Sequence, residues 1–271
     1  MRIILSRKGF DSKYGRQPSP ILPDGTLLSL PIPSKLDSQL FTNLVYEKKS
    51  YYDIIKELNP NNKFTEKYTC HLDPDIRINA LKRGNNWKSL FGQENAALSH
   101  LEKNKVQIGD IFLFFGWFKQ TELVNGKYSY LKGAPDLHVI FGYLQIGGIH
   151  KSINSNKDLL KEHCHYKRFS VKSNNCIYEA SNKLSINNKL PGSGCLKFNE
   201  ELVLTKKGLS RSKWELPNFF KKISISYHSQ DSFKEKHFES AKIGQEFVIS
   251  ENDKVTEWVK EKVKYFDAKS T

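Results

Sequence analysis

The sequence predicts an α+β fold. It reads as a single unit over residues 1–271 with a curved, mostly antiparallel sheet or a partial barrel, flanking helices and a C-terminal amphipathic helix. Three observations lead there. Residues 111–118 and 137–149 are apolar or alternating runs of strand length, and between them Asn125-Gly126 is the strongest short hairpin signal. Short strand-like segments recur at 2–6, 176–180, 202–205, 223–227 and 247–249. The last stretch is helical: Ser250 caps it, Asp253 follows three residues on, and Val255, Trp258, Val259, Val263 and Phe266 make one stripe.

The other elements follow in order. A Gly/Pro-rich stretch, 9–33, is too apolar for a linker and predicts an ordered loop lying on the core. Within it Pro23-Asp24-Gly25-Thr26 is a turn joining Ile21-Leu22 to Leu27-Leu28 as a small hairpin, because Pro fixes φ and Gly accepts a positive one. Residues 51–58 suit a short helix that stops at Asn59-Pro60. A second helix is expected over 91–103, with Phe91, Ala97, Leu98 and Leu101 at helical spacing. Residues 127–131 return the hairpin, and the polar, basic stretch 151–172 predicts a surface helix and loop. There is no internal repeat.

Composition bounds the function classes. With 17 Phe, 12 Tyr and 4 Trp in 271 residues the chain is too aromatic to be disordered. The longest apolar run, 111–118, falls far short of the roughly 18 residues a spanning helix needs, and the N-terminal apolar core is too short for a signal peptide. Cys70, Cys164, Cys176 and Cys195 form neither a CxxC pair nor a disulfide framework, so the expected compartment is the cytoplasm, with no membrane partner. The net charge of +14 comes from 43 Lys+Arg against 29 Asp+Glu, and 36 of those cations are lysines. A Lys-over-Arg skew with 20 Asn is what an AT-rich genome writes onto a surface, so only part of the charge points to phosphate-bearing partners.

Five constellations could carry chemistry. Ser6-Arg7-Lys8-Gly9-Phe10-Asp11-Ser12 follows the first strand and combines two cations, two hydroxyls and a glycine, which suits a phosphate or, equally, an exposed basic turn. In His71-Leu72-Asp73-Pro74-Asp75, residues two apart share a face of an extended chain. His71, Asp73 and Asp75 then suit a divalent metal or acid–base work, unless the segment is an Asp-Pro-Asp turn with Asp75 as a cap. Trp87 and Gln93 offer a stacking platform and a two-point hydrogen bond to a base edge, although a Trp and a Gln flanking a helix start are more often structural. Asp136 and His138 enter a strand where pockets collect polar groups. Arg211, Ser212 and Trp214 make a phosphate-plus-stacking group, with a packed structural Trp as the rival reading. His163-Cys164-His165 resembles a metal tract, but no partner pair at zinc spacing accompanies it and zinc is not expected there.

Together these segments resemble one family. Residues 3–12, Pro18-Ser19-Pro20-Ile21-Leu22, Asp24-Gly25, Ser29-Leu30-Pro31-Ile32-Pro33, His71-Leu72-Asp73-Pro74-Asp75 and Phe91-Gly92-Gln93 are similar to the nucleotide modification associated domain 3 family. So are 109–118, 138–146, Arg211-Ser212, Trp214, Leu216-Pro217 and 244–248. The resemblance implies association with phage or bacterial systems, defence included, that modify nucleobases, without a defined reaction. A looser likeness of the Gly109-Asp110 strand and 140–143 to PUA, ASCH and EVE barrels implies a PUA-like core over about 105–250 that binds RNA or unusual bases.

The expectation is therefore a protein that acts on a nucleotide or nucleic-acid base, DNA or RNA. Asp11, Asp73, Asp75 and His71 would be catalytic; Ser6, Arg7, Lys8, Arg211 and Ser212 would hold phosphate; Trp87, Gln93, Asp136, His138 and Trp214 would hold the base. His71, Asp73 and Asp75 are the candidate ligands for a divalent metal, and no nicotinamide, S-adenosylmethionine or ATP fingerprint is visible. The alternative is a non-catalytic reader of modified nucleic acid. An enzyme should bring Ser6 to Asp11, Asp73 and Asp75 into one pocket; a reader should show an aromatic cleft without them. Enzyme status, oligomeric state and the base stay open.

Overall fold

The structure, a computed structural model, describes residues 1–171, 174–242 and 244–270. Its main sheet has nine strands: β1 (Ile3–Arg7), β2 (Ser19–Ile21), β3 (Leu90–Glu94), β4 (Ile111–Val124), β5 (Lys127–Tyr130), β6 (Leu137–His150), β7 (Asn175–Ala180), β8 (Ser193–Cys195) and β9 (Glu246–Ile249). The continuous path runs β9–β1–β4–β6–β7–β3, with β2 and β5 on β4 and β8 on β6. Only β1 and β2 pair in parallel with β4; the other pairings are antiparallel, as expected. Four α-helices accompany the sheet: α1 (Tyr51–Leu58), α2 (Asn95–Lys103), α3 (Lys157–Leu160) and α4 (Asp253–Val263).

The sheet rolls, and aromatic contacts measure how far. Phe91 on β3 lies 4.8 Å from Phe112 and 5.1 Å from Phe114 on β4, although β6 and β7 intervene. Three strand spacings on a flat sheet would separate them by about 14 Å. Even the two ends of the path meet, since Gln93 on β3 hydrogen-bonds Glu246 on β9. These end strands do not pair, however, so the sheet is not closed into a barrel. Instead α2 fills the gap, burying Leu98 and Leu101 in the same core and joining His100 Nε2 to Ser226 Oγ at 2.9 Å.

Several elements form for the reasons the sequence offers. Ser50 Oγ accepts the Asp53 N–H at 3.0 Å and Asp53 reciprocates, a capping box that starts α1. Asn125 and Gly126 adopt φ of +51° and +76°, the geometry that folds β5 back on β4. The Pro23–Thr26 turn closes with Leu22 N–H on the Thr26 carbonyl at 2.9 Å. Leu22 and Leu28, which flank the turn, belong to a second apolar cluster with Phe10, Leu30, Phe41 and Ile54 of α1. A small sheet of Ile32–Pro33, Thr69–His71 and Gln39–Leu40 presents His71 at its end.

Other expectations fail. Residues 91–103 are not one helix: 90–94 form β3, pairing Phe91 with Tyr178, and α2 starts only at Asn95. A long-range strand partner there overrides local spacing. Residues 202–205 and 223–227 make only isolated bridges, Val139↔Val203, Thr205↔Trp214 and Ile225↔Ile249, because each lies beside its partner for too few residues to extend a ladder. The segment after β6 is not a mere surface element: Leu160, His163 and His165 are buried, while its last predicted residue, Lys172, lies outside the described residues. Finally, Asn252 rather than Ser250 caps α4, accepting the Lys254 N–H at 2.9 Å, and Phe266 lies beyond its end. Among the described residues no helix is long and apolar enough to cross a membrane.

Candidate functional site

Strand alternation sorts the residues at the end of β1 onto two faces. Ser6 and Lys8 face the concave interior. Lys8 Nζ sits 2.9 Å from Glu246 Oε1 and 4.5 Å from the Phe91 ring, and Gln93 Nε2 donates to that same carboxylate oxygen. Ser6 and Glu246 are at most 1% exposed. Ser6 Oγ and Glu246 Oε2 have no hydrogen-bond partner among the described residues. Thus Lys8 and Gln93 meet, but around a buried carboxylate.

Arg7 points to the convex face. Its guanidinium donates to the Ala241 and Lys242 carbonyls at 2.6 and 3.4 Å and lies over the Phe115 and Phe247 rings. Beside it, Arg211 stacks 4.0 Å from the Trp117 centroid and donates to Ser12 Oγ. Trp117 Nε1 in turn donates to Asp136 Oδ1 at 2.8 Å. Asp11 receives the Lys13 and Tyr14 amides at 2.7 and 2.6 Å, which holds its carboxylate beside both arginines. Burial lowers the Arg7 pKa, Asp11 offsets this, and Arg211 lowers it further. Burial also lowers Arg211, against the pull of Asp136 and Asp11.

Beneath this patch two of the base-binding candidates, Trp214 and His138, pack into the core. Trp214 is 1% exposed and packs against Phe115, while its Nε1 donates to His138 Nδ1 at 3.0 Å. Burial, then the charges of Arg7 and Arg211, holds the His138 pKa well below the ordinary imidazole value. Ser212 contributes a carbonyl to the Ser240 amide at 2.9 Å.

A second constellation covers the outer face of β3. His71 and His165, 94 residues apart, bring their Nε2 atoms to 3.2 Å. Cys164 Sγ lies 3.9 Å from His71 Nε2, and Asp73 Oδ2 lies 3.9 Å from the same nitrogen. Asp73 Oδ1 accepts the Gly92 amide at 2.7 Å and faces His163 Nε2 at 3.4 Å, long for a hydrogen bond. Gly92 is required here: a Cβ on it would come within 2.2 Å of the His165 ring. His71 Nδ1 meets Asp37 Oδ2 at 3.0 Å, and Arg168 bridges Asp37 and Glu94. Burial alone would raise the Asp73 pKa, but the His163 contact and the neighbouring imidazoles hold it well below the carboxylate range. Burial pushes His165 down to about 3, against the pull of Asp73.

The predicted residues therefore divide. His71 and Asp73 converge, as the two-residue spacing suggested, but Asp75 does not join them. It is 6% exposed and held by Arg83, whose Nη1 donates at 2.9 Å. Trp87 Nε1 points to Asp75 at 3.4 Å, and Arg83 covers the Trp87 ring at 4.7 Å. Asp11, Asp73 and Asp75 have no hydrogen-bond partner in common. Sequence reasoning set aside His163-Cys164-His165 for want of partners; these come from His71 and Asp73 through the fold. It passed over Trp117, Asp37, Asn175 and Glu246, and no spacing in the sequence marks them.

A model of the nucleotide modification associated domain 3 family matches residues 2–250. No curated protein and no solved structure matches this chain.

Proposed function

The chain belongs to the nucleotide modification associated domain 3 family, and from that premise we propose that it modifies a nucleotide or nucleic-acid base, docking it on the convex patch at the end of β1. The observation that carries this is Arg211 stacked on Trp117 beside Ser12 and Asp136. A guanidinium held flat on an indole presents its edge N–H groups to phosphate oxygens, and the indole rim offers a surface for a base. Arg7 adds a second positive charge from just below, and a phosphate placed near both would relieve their mutual repulsion. Asp11 and Asp136 are the carboxylates beside the arginines, and Asp11 is the one assigned to proton transfer. Trp214 and His138 support the patch from within rather than touching the substrate.

The test is nucleoside mass spectrometry of DNA and tRNA from cells with and without the protein, together with cells carrying Arg211→Leu or Trp117→Leu. A nucleoside that appears or disappears with the wild-type protein and is lost with either variant is expected. Unchanged nucleosides in all four strains, with wild-type protein binding oligonucleotides through the patch, would favour a non-catalytic reader instead.

A further inference from the structure

The histidine–cysteine–aspartate cluster takes no part in that docking patch, and its geometry is informative by itself. Hydrogen bonding fixes which ring nitrogens carry protons. Asn175 Nδ2 donates to the His165 carbonyl at 3.0 Å, so its Oδ1, 2.7 Å from His165 Nδ1, must accept. His165 therefore carries its proton on Nδ1. Asp37 Oδ2, 3.0 Å from His71 Nδ1, favours a proton there, since a carboxylate only accepts, with Arg168 Nη2 3.2 Å from the same nitrogen. Both Nε2 atoms then present lone pairs to each other at 3.2 Å, with a thiol and a carboxylate beside them. Two lone pairs at that distance repel unless a proton or a metal ion lies between them, and the neighbouring thiol and carboxylate suit the metal.

We propose that His71 Nε2, His165 Nε2 and Cys164 Sγ, whose ligand atoms lie within 4.8 Å of one another, form a three-ligand site for one divalent transition metal of the zinc class, with Asp73 Oδ2, 3.9 Å from His71 Nε2, as the neighbouring oxygen donor. Metal–nitrogen bonds of about 2.0–2.1 Å at tetrahedral angles put two ligand nitrogens roughly 3.3 Å apart, close to the separation here. The donor set is of the mixed N, S and O kind that zinc accepts, and too soft for calcium or magnesium. Outer partners are built in: Asp37 orients His71, Asn175 orients His165, and the Gly92 amide and His163 orient Asp73. Because His71 comes from the 69–75 segment and Cys164 and His165 from the 163–168 segment, the metal joins these two segments against β3.

Elemental analysis of the full chain, purified without chelator, is expected to find about one zinc per chain. After stripping, the same protein should take up one Co²⁺ with the intense d–d bands of tetrahedral cobalt and a near-ultraviolet thiolate charge-transfer band. Cys164→Ser should abolish the charge-transfer band and leave visible d–d bands. Asn175→Ala, which touches no ligand atom of the metal, should weaken Co²⁺ binding about ten- to a hundredfold with the circular dichroism unchanged. Full chain that neither retains zinc nor binds Co²⁺ stoichiometrically would overturn the proposal, and so would a cobalt spectrum that Cys164→Ser leaves intact. The first criterion needs no variant to fold.

Discussion

Replacing Lys8 by Met isolates a buried charge while keeping most of the side-chain volume. In the native protein the Lys8 ammonium is 2.9 Å from Glu246 Oε1, and the two side chains are 8% and 1% exposed. Without it the carboxylate keeps only the Gln93 amide, and its Oε2 already has no hydrogen-bond partner among the described residues. Removing one partner of a buried ion pair costs about 3–5 kcal/mol, because the remaining charge cannot be resolvated. The ammonium also loses its place 4.5 Å from the Phe91 ring, an interaction worth about 1–2 kcal/mol when desolvated, part of which the Met thioether replaces. At about 2–4 °C per kcal/mol for a chain near this size, Tm should fall by about 6–20 °C. The double variant Lys8→Met, Glu246→Leu removes both charges together and should regain stability, with a coupling of about 1–3 kcal/mol in a double-mutant cycle followed by circular dichroism. A single-variant loss under about 1 kcal/mol, or strictly additive losses, would refute the view that this pair is a desolvated unit pinning β1 and β9 to β3.

Two further outcomes are expected. His138 is held neutral, with a folded-state pKa well below 6.5, so the unfolded chain binds its proton first as pH falls. Its contribution is fully present above pH 6.5 and is lost below it at up to about 1.4 kcal/mol per pH unit; His138→Gln should flatten the pH dependence of the urea midpoint between pH 7 and 5, and equal slopes would contradict this. Asp75→Asn weakens the Arg83 pair and should cost about 1.5–3 kcal/mol in urea unfolding, yet leave the nucleoside profile of cells unchanged at a temperature where the variant is folded; a lost nucleoside there would return Asp75 to the mechanism.

Local chemistry was legible in the sequence where a few adjacent residues decide the structure. Asn125-Gly126 and Pro23–Thr26 each act within four residues and form the turns expected, and the short helix over 51–58 forms at its expected bounds. Membership of the family was legible too, because its motifs run nearly the length of the chain. Pairings across long sequence separations were not. Phe91 fits a helical stripe with Leu98 and Leu101 until β7 supplies a strand partner, and that partner is more than eighty residues away. Lys8 and Glu246 are 238 residues apart, so nothing near either one announces an ion pair. The His163-Cys164-His165 tract was read without partners for the same reason: zinc spacing was sought along the chain, whereas His71 reaches His165 across 94 residues only through the fold.

Strand β3 links these two constellations physically. Its alternation sends Phe91 and Gln93 into the concave interior, toward Lys8 and Glu246, and turns Gly92 and Glu94 outward to Asp73, His165 and Arg168. Its neighbour β7 repeats the division, with Asn175 outward on His165 and Cys176 buried inside. A one-residue slip of β3 against β7 would exchange the two faces, putting a glycine where Gln93 meets Glu246 and a side chain where the His165 ring lies against Gly92. Each constellation therefore specifies the register that the other needs. The histidine–cysteine–aspartate cluster on the outside and the buried charge pair on the inside hold the strand from opposite faces. Since Glu246 also opens β9, which pairs with β1, that register extends to the strand carrying Arg7. Order at the end of β1 thus depends on groups that lie outside the Arg7–Arg211 patch.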